Sequence, residues 1–87
     1  MIETPENRLK KLRMRSWRRG IKEMDLILGA FADSRLQGLD AATLDTYDLM
    51  LSENDHDLYQ WVTGQAATPE PFAELIATIS EHAGVSG

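Results

Sequence analysis

The sequence predicts an all-α fold, a compact five-helix bundle that makes up one small domain. Three observations carry that expectation. Five segments space their apolar residues at three and four positions, and none alternates with period two over the length of a strand. Glycine, proline and capping residues fall between those segments, where helices start and stop. At 87 residues the chain has room for a single domain over positions 1–87. A domain of this size hides only roughly 60–65% of its surface on folding, so one thin core without a deep enclosed active site follows. Residues 1–6 and 84–87 are expected to fray.

The first helix runs from about Pro5 to Arg18, rich in good helix formers, with Leu9, Leu12, Ser16 and Trp17 near one face. Gly20 follows its basic last turn as a residue able to take the left-handed conformation. The second helix, about Ile21 to Ala32, carries Ile21, Met24, Ile27, Leu28 and Phe31 on one stripe. Gly29 weakens it by about 1 kcal/mol relative to alanine. Asp33 to Gly38 reads as a loop, and Asp40 caps a third helix over about Ala41 to Ser52, with Leu44, Tyr47, Met50 and Leu51 inward. Asn54 or Asp55 opens a short fourth helix that turns Leu58, Trp61 and Val62 inward and ends near Gly64. Thr68 and Pro69 supply the start signal of the fifth, whose core face is Phe72, Leu75, Ile76, Ile79 and Ala83.

Composition excludes several classes. A hydrophobic fraction of 43% and a charged fraction of 26% are those of a globular chain and argue against a disordered or fibrous one. With no cysteine there is no disulfide framework, thiol nucleophile or thiolate metal site, which suits a reducing compartment. No apolar run approaches the roughly 20 residues a membrane-spanning helix needs. The first residues have neither a signal-peptide nor a transit-peptide layout, and the chain reads as a complete cytoplasmic protein of bacterial type. The net charge of −5 hides an asymmetry: all nine Lys and Arg lie between Arg8 and Arg35, so residues 1–35 carry +4 and residues 36–87 carry −9. The basic end either folds back on the acidic half or meets a partner.

Conventional catalysis has little to work with. His56 and His82 fall on different helices without a ligand spacing, so no metal site is expected, and His82 reads as a surface residue favoured by a helix C-terminus. No phosphate-cradling glycine loop is present, and no serine has the flanking glycines of a nucleophile elbow. The informative segment is Ser16 to Asp25, SWRRGIKEMD. On one reading it is a helix end followed by a helix start, with Gly20 turning the chain and Glu23 complementing the next helix dipole. On the other, Gly20 lets a partner's backbone come close while Arg19 and Glu23 offer a donor fork and an acceptor, with Arg18 and Asp25 completing the partner-binding set. The second reading expects Arg19→Ala and Glu23→Ala to impair the partner contact with little change in melting temperature.

Arg19-Gly20-Ile21-Lys22-Glu23 resembles the Arg-Gly-x-x-Glu signature of the succinate dehydrogenase assembly factor family, also called FAD assembly factors, and the resemblance extends from Arg18 to Phe31. A second block, Leu51 to Trp61, is similar to the family's Leu-x-Glu-x-Asp-x-Asp-Leu-x-x-Trp pattern at the expected distance, so that roughly residues 8–80 are covered. His56 stands where the family often has proline. Within this block Asp55 and Asp57 read as satisfying amides at a helix start, and Leu58 and Trp61 as its anchors in the core. The resemblance implies a chaperone-like factor, not an enzyme, that binds the flavoprotein subunit of succinate dehydrogenase, or of the similar fumarate reductase, and promotes covalent attachment of FAD to a histidine of that subunit. FAD then belongs to the client, and no resident cofactor is expected. Two other readings stand beside it. One is nucleic-acid binding through the eight positive charges from Arg8 to Lys22, against which the net charge weighs. The other is neutralisation of a toxin or regulatory protein.

Overall fold

A computed structural model describes residues 4–84, and among them the backbone is helical with no strand. The elements are α1 (Pro5–Trp17), α2 (Lys22–Arg35), a 3₁₀ turn (Leu36–Gly38), α3 (Ala41–Met50), α4 (Asp55–Val62) and α5 (Glu70–Ala83). The five expected helices are all present. Of the stretches expected to fray, Pro5 and Glu6 are already helical, while 1–3 and 85–87 lie outside the described residues.

Local chemistry sets most boundaries. Thr4 caps α1 by accepting the Asn7 N–H at 3.2 Å, with Pro5 in the first turn, where no amide is needed. Asp40 caps α3 by accepting the Thr43 N–H at 2.8 Å, and its bonds with Thr43 hold its carboxyl below the ordinary value. Gly84, at φ 73°, takes the left-handed conformation and closes α5 by donating its N–H to the Glu81 carbonyl at 3.1 Å.

Three boundaries differ from the sequence expectation. The stretch from Asp33 is no loop: α2 continues to Arg35 and tightens into the 3₁₀ turn, because Leu36 must reach the core, where it is buried. At the start of α5, Pro69 is the cap position and Pro71 lies within the first turn; no side chain caps this helix, so Thr68 does not act as expected. Gly20 does not adopt a positive φ; α1 stops at Trp17 and Arg18, at φ −121° and ψ 61°, turns the chain.

α1 and α2 run antiparallel as a hairpin, and α2 also touches α4 and α5, which places it at the centre of the domain. Its Met24, Leu28 and Phe31 meet Leu12 of α1, Tyr47 and Met50 of α3, Leu58 and Val62 of α4 and Leu75, Ile76 and Ile79 of α5 in one core. Ala83, expected inward, is exposed, whereas His82 beside it is half-buried and sets its ring edge-on to Phe31 at 5.6 Å, which corrects its reading as a surface residue. Gly29 has a packing reason: the Trp17 indole lies across it, and a Cβ there would fall inside the ring. The indole Nε1 donates to Asp33 Oδ1 at 3.2 Å.

One buried polar pair sits among these apolar groups. The Ser16 hydroxyl donates to the Leu12 carbonyl at 2.8 Å, which uses its only hydrogen, so the 2.6 Å contact with Tyr47 has the phenol donating to Ser16 Oγ. Burial pushes the Tyr47 phenol up to about 12. Outside the core, the charge asymmetry is resolved internally. Arg8 pairs with Asp45 at 2.6 Å and Arg15 with Asp48 at 2.6 Å, lacing basic α1 to acidic α3.

Candidate functional site

The two sequence blocks, far apart in the chain, form a single structure. Arg19, in the turn between α1 and α2, points its guanidinium at the turn between α3 and α4. Its Nε donates to Asp55 Oδ1 at 2.7 Å, Nη1 to the Leu51 carbonyl at 2.7 Å and Nη2 to the Glu53 carbonyl at 3.0 Å. The planar fork fits this set because it offers several donors in fixed directions, and the two carbonyls belong to a chain leaving a helix, where acceptors are in surplus. Asp55 uses its other oxygen to accept the Gly20 N–H, and Asp25 of α2 accepts the Arg19 N–H. The turn is thus held from both sides by carboxylates.

This arrangement divides the expected client-binding residues. Arg19 and Asp25 turn inward and hold the turn. Arg19 has only 11% of its side chain exposed and is bonded to Asp55 and two carbonyls, a clamp whose truncation is expected to lower the melting temperature where the sequence reading expected little change. Gly20 is exposed, and a Cβ on it would stand 3.1 Å from Asp55 Oδ2, so glycine is required here for the close approach of that carboxylate and not for handedness. Arg18 and Glu23 are exposed and have no intramolecular side-chain partner among the described residues. Gly20, Arg18 and Glu23 therefore form the outward part of the site, on a backbone that the inward part fixes.

The second block needs a similar division. Asn54, not Asp55, is the cap of α4, accepting the His56 N–H at 2.8 Å. Asp55 is free of that duty and reaches across to Arg19. Asp57 is exposed in the first turn of α4, where its charge complements the helix dipole. Leu58 is fully buried, and Trp61 is half-buried, lying on the core edge with its ring centroid 6.1 Å from that of Phe72.

The sequence reading missed two exposed apolar side chains flanking the turn. Met14 lies one helical turn before Arg18 and is 46% exposed; Leu26, three residues after Glu23 on the same face of α2, is 54% exposed. Their signal was a departure from the core stripes, visible only once those stripes were fixed. Among the described residues no group of three or more His, Asp or Glu side chains is placed to hold a metal, and no helix is long and apolar enough to cross a membrane.

Comparison with known proteins gives matches whose span includes both blocks. Residues 10–83 match the family model described as flavinator of succinate dehydrogenase. A relative from Dictyostelium discoideum, named succinate dehydrogenase assembly factor 2, mitochondrial, is 35% identical over 81 residues, 93% of this chain and 57% of its own length. One of the same name from Meyerozyma guilliermondii is 43% identical over 70 residues, 79% of this chain and 52% of its own. Assembly factor 2-A of Drosophila sechellia is 35% identical over 83 residues, 92% of this chain and 51% of its own. The chain spans about half the length of these curated relatives. All are named as mitochondrial proteins of eukaryotes, which overturns the expectation of a bacterial cytoplasmic chain. The chain belongs to the family of succinate dehydrogenase flavinators.

Proposed function

We propose that the chain is a non-enzymatic assembly factor that binds the flavoprotein subunit of succinate dehydrogenase and promotes covalent attachment of FAD to it. The observation that carries this reading is the exposed Gly20 turn, with Arg18 and Glu23 outward and its backbone fixed by Arg19, Asp25 and Asp55. A fixed surface of this kind selects one conformation of a client without contributing a nucleophile or a proton. It accelerates the attachment by raising the population in which the client's histidine and flavin already face each other. FAD on this reading is the client's ligand. The names of the relatives, all succinate dehydrogenase assembly factors, support the choice of client. The internal pairing of Arg8, Arg13, Arg15 and Arg19 weighs against the nucleic-acid reading, since those charges are already answered by carboxylates.

The test is reconstitution: purified flavoprotein subunit lacking covalent flavin, incubated with FAD, with and without the chain, followed by in-gel flavin fluorescence. Faster and more complete fluorescence with the chain is expected, and Glu23→Arg, an exposed change, removes the effect while the helical signal and melt stay as in the wild type. Equal fluorescence with and without the chain, together with no measurable binding to the subunit, overturns the proposal.

A further inference from the structure

Beside the Gly20 turn, a shallow groove of about 390 Å³ is lined by Lys11, Met14, Arg15, Arg18 and Arg19. Four of its five lining side chains are cationic, in a protein whose net charge is −5. Arg15 is matched from below by Asp48 at 2.6 Å and Arg19 by Asp55 at 2.7 Å. Arg18 is exposed with no intramolecular side-chain partner among the described residues. Guanidinium and ammonium groups only donate hydrogen bonds, so an occupant must bring acceptors and negative charge. Met14, 46% exposed in their midst, adds a polarisable apolar contact that a bare phosphate does not use.

We propose that this groove seats an acidic segment of the client protein, with a carboxylate bonded to Arg18 in a forked pair and a neighbouring apolar side chain resting on Met14. The inference rests on the client reading above and extends it by naming the chemistry of the contacted segment. Complementarity also gives a register. Residues 36–87 carry only negative charge and repel such a segment, which favours its approach to the basic half of the chain, where the groove lies.

The absence of cysteine makes the test direct, because Met14→Cys or Glu23→Cys provides a single attachment point for a benzophenone maleimide. Each labelled chain is irradiated with the purified flavoprotein subunit, and the crosslinked client peptide is sequenced by mass spectrometry. The label at position 14 is expected to capture a peptide in which two or more Asp or Glu lie close together. Capture of a neutral or basic segment, capture from position 23 but not from position 14, or capture from neither while the unlabelled wild-type chain binds the subunit, overturns the groove inference and leaves the client reading standing; no binding of the unlabelled wild-type chain overturns both. In parallel, Arg18→Glu should weaken binding at low salt by about tenfold or more, an effect that shrinks at high salt, whereas Arg35→Glu, an exposed charge on the far end of α2, should stay within about twofold. Equal weakening by both charge reversals overturns the inference in favour of general positive charge.

Discussion

Removing the Arg19 side chain tests the clamp most sharply. Arg19→Ala leaves the Asp55 carboxylate, 13% exposed, without its cation, and strips two carbonyls at Leu51 and Glu53 of their donors. Breaking one side of a largely buried ion pair costs roughly 3–5 kcal/mol. Asp55 keeps the Gly20 N–H, and the vacated space admits water to the carbonyls, so the lower end, about 3 kcal/mol, applies. In a domain of this size each kcal/mol moves the melting temperature by about 4–8 °C, which sets the expected fall at about 12–24 °C. Far-UV circular dichroism melts of wild type, Arg19→Ala, Asp55→Ala and the double variant measure it as a cycle, with a coupling of about 2 kcal/mol expected between the two positions. Arg19→Lys should recover less than half of the loss, because an ammonium lacks the planar fork that reaches Asp55 and both carbonyls at once. A melt of Arg19→Ala within about 3 °C of wild type would refute the clamp and return Arg19 to the surface.

Gly29→Ala should destabilise by about 1–3 kcal/mol and red-shift tryptophan emission as the indole is pushed off α2, although alanine is the better helix former by about 1 kcal/mol; a more stable variant would show that the ring has room. Gly20→Ala should cost about 1 kcal/mol in chemical denaturation, since the methyl group meets an Asp55 carboxylate that Arg19 and the Gly20 amide hold in place; an unchanged midpoint would mean the carboxylate moves freely. Tyr47, with its folded value raised to about 12, favours the fold fully below pH 10 and loses that contribution as pH rises from 10 through 12, by up to about 2–3 kcal/mol. The stability gap between wild type and Tyr47→Phe should therefore narrow over that window, and a constant gap would contradict the burial of an ionisable phenol.

The stripes on α2 and α5 were legible because apolar residues at helical spacing have few alternatives: Met24, Leu28 and Phe31, or Leu75, Ile76 and Ile79, share a face only in a helix. Leu36 continues the α2 spacing, four residues after Ala32 and eight after Leu28, but Asp33, Ser34 and Gly38 around it read as a loop, and the tertiary core explains why the chain tightens to bring it in. The site was half legible. Arg19, Gly20 and Glu23 stood out by their types, but the direction of Arg19 is decided by acceptors 32 to 36 residues away, which no local pattern contains. The same distance concealed Asp55. A carboxylate at a helix start has an evident local duty, and with Asn54 an equally good cap beside it nothing near it in sequence says which of the two performs it. Gly29 carried a fainter signal, a helix-interior glycine with no turn to make, whose reason appears only when Trp17 is laid across it.

The clamp also has a bearing on the order of folding. Its partners are joined through a long stretch of chain, while most helical bonds and the α1–α2 hairpin close over short ones, so the clamp cannot form until both turns have been delivered by the helices that flank them. Interactions made that late are absent from the folding transition state, and weakening them speeds unfolding far more than it slows folding. The turn at Gly20 can close early with the hairpin, whereas the bonds that fix it to the α3–α4 turn come later, and their weakening is expected to show mainly in the unfolding rate. A client that recognises the turn in its fixed form meets only chains whose folding is complete, and a partly folded chain presents the same residues on a turn not yet fixed.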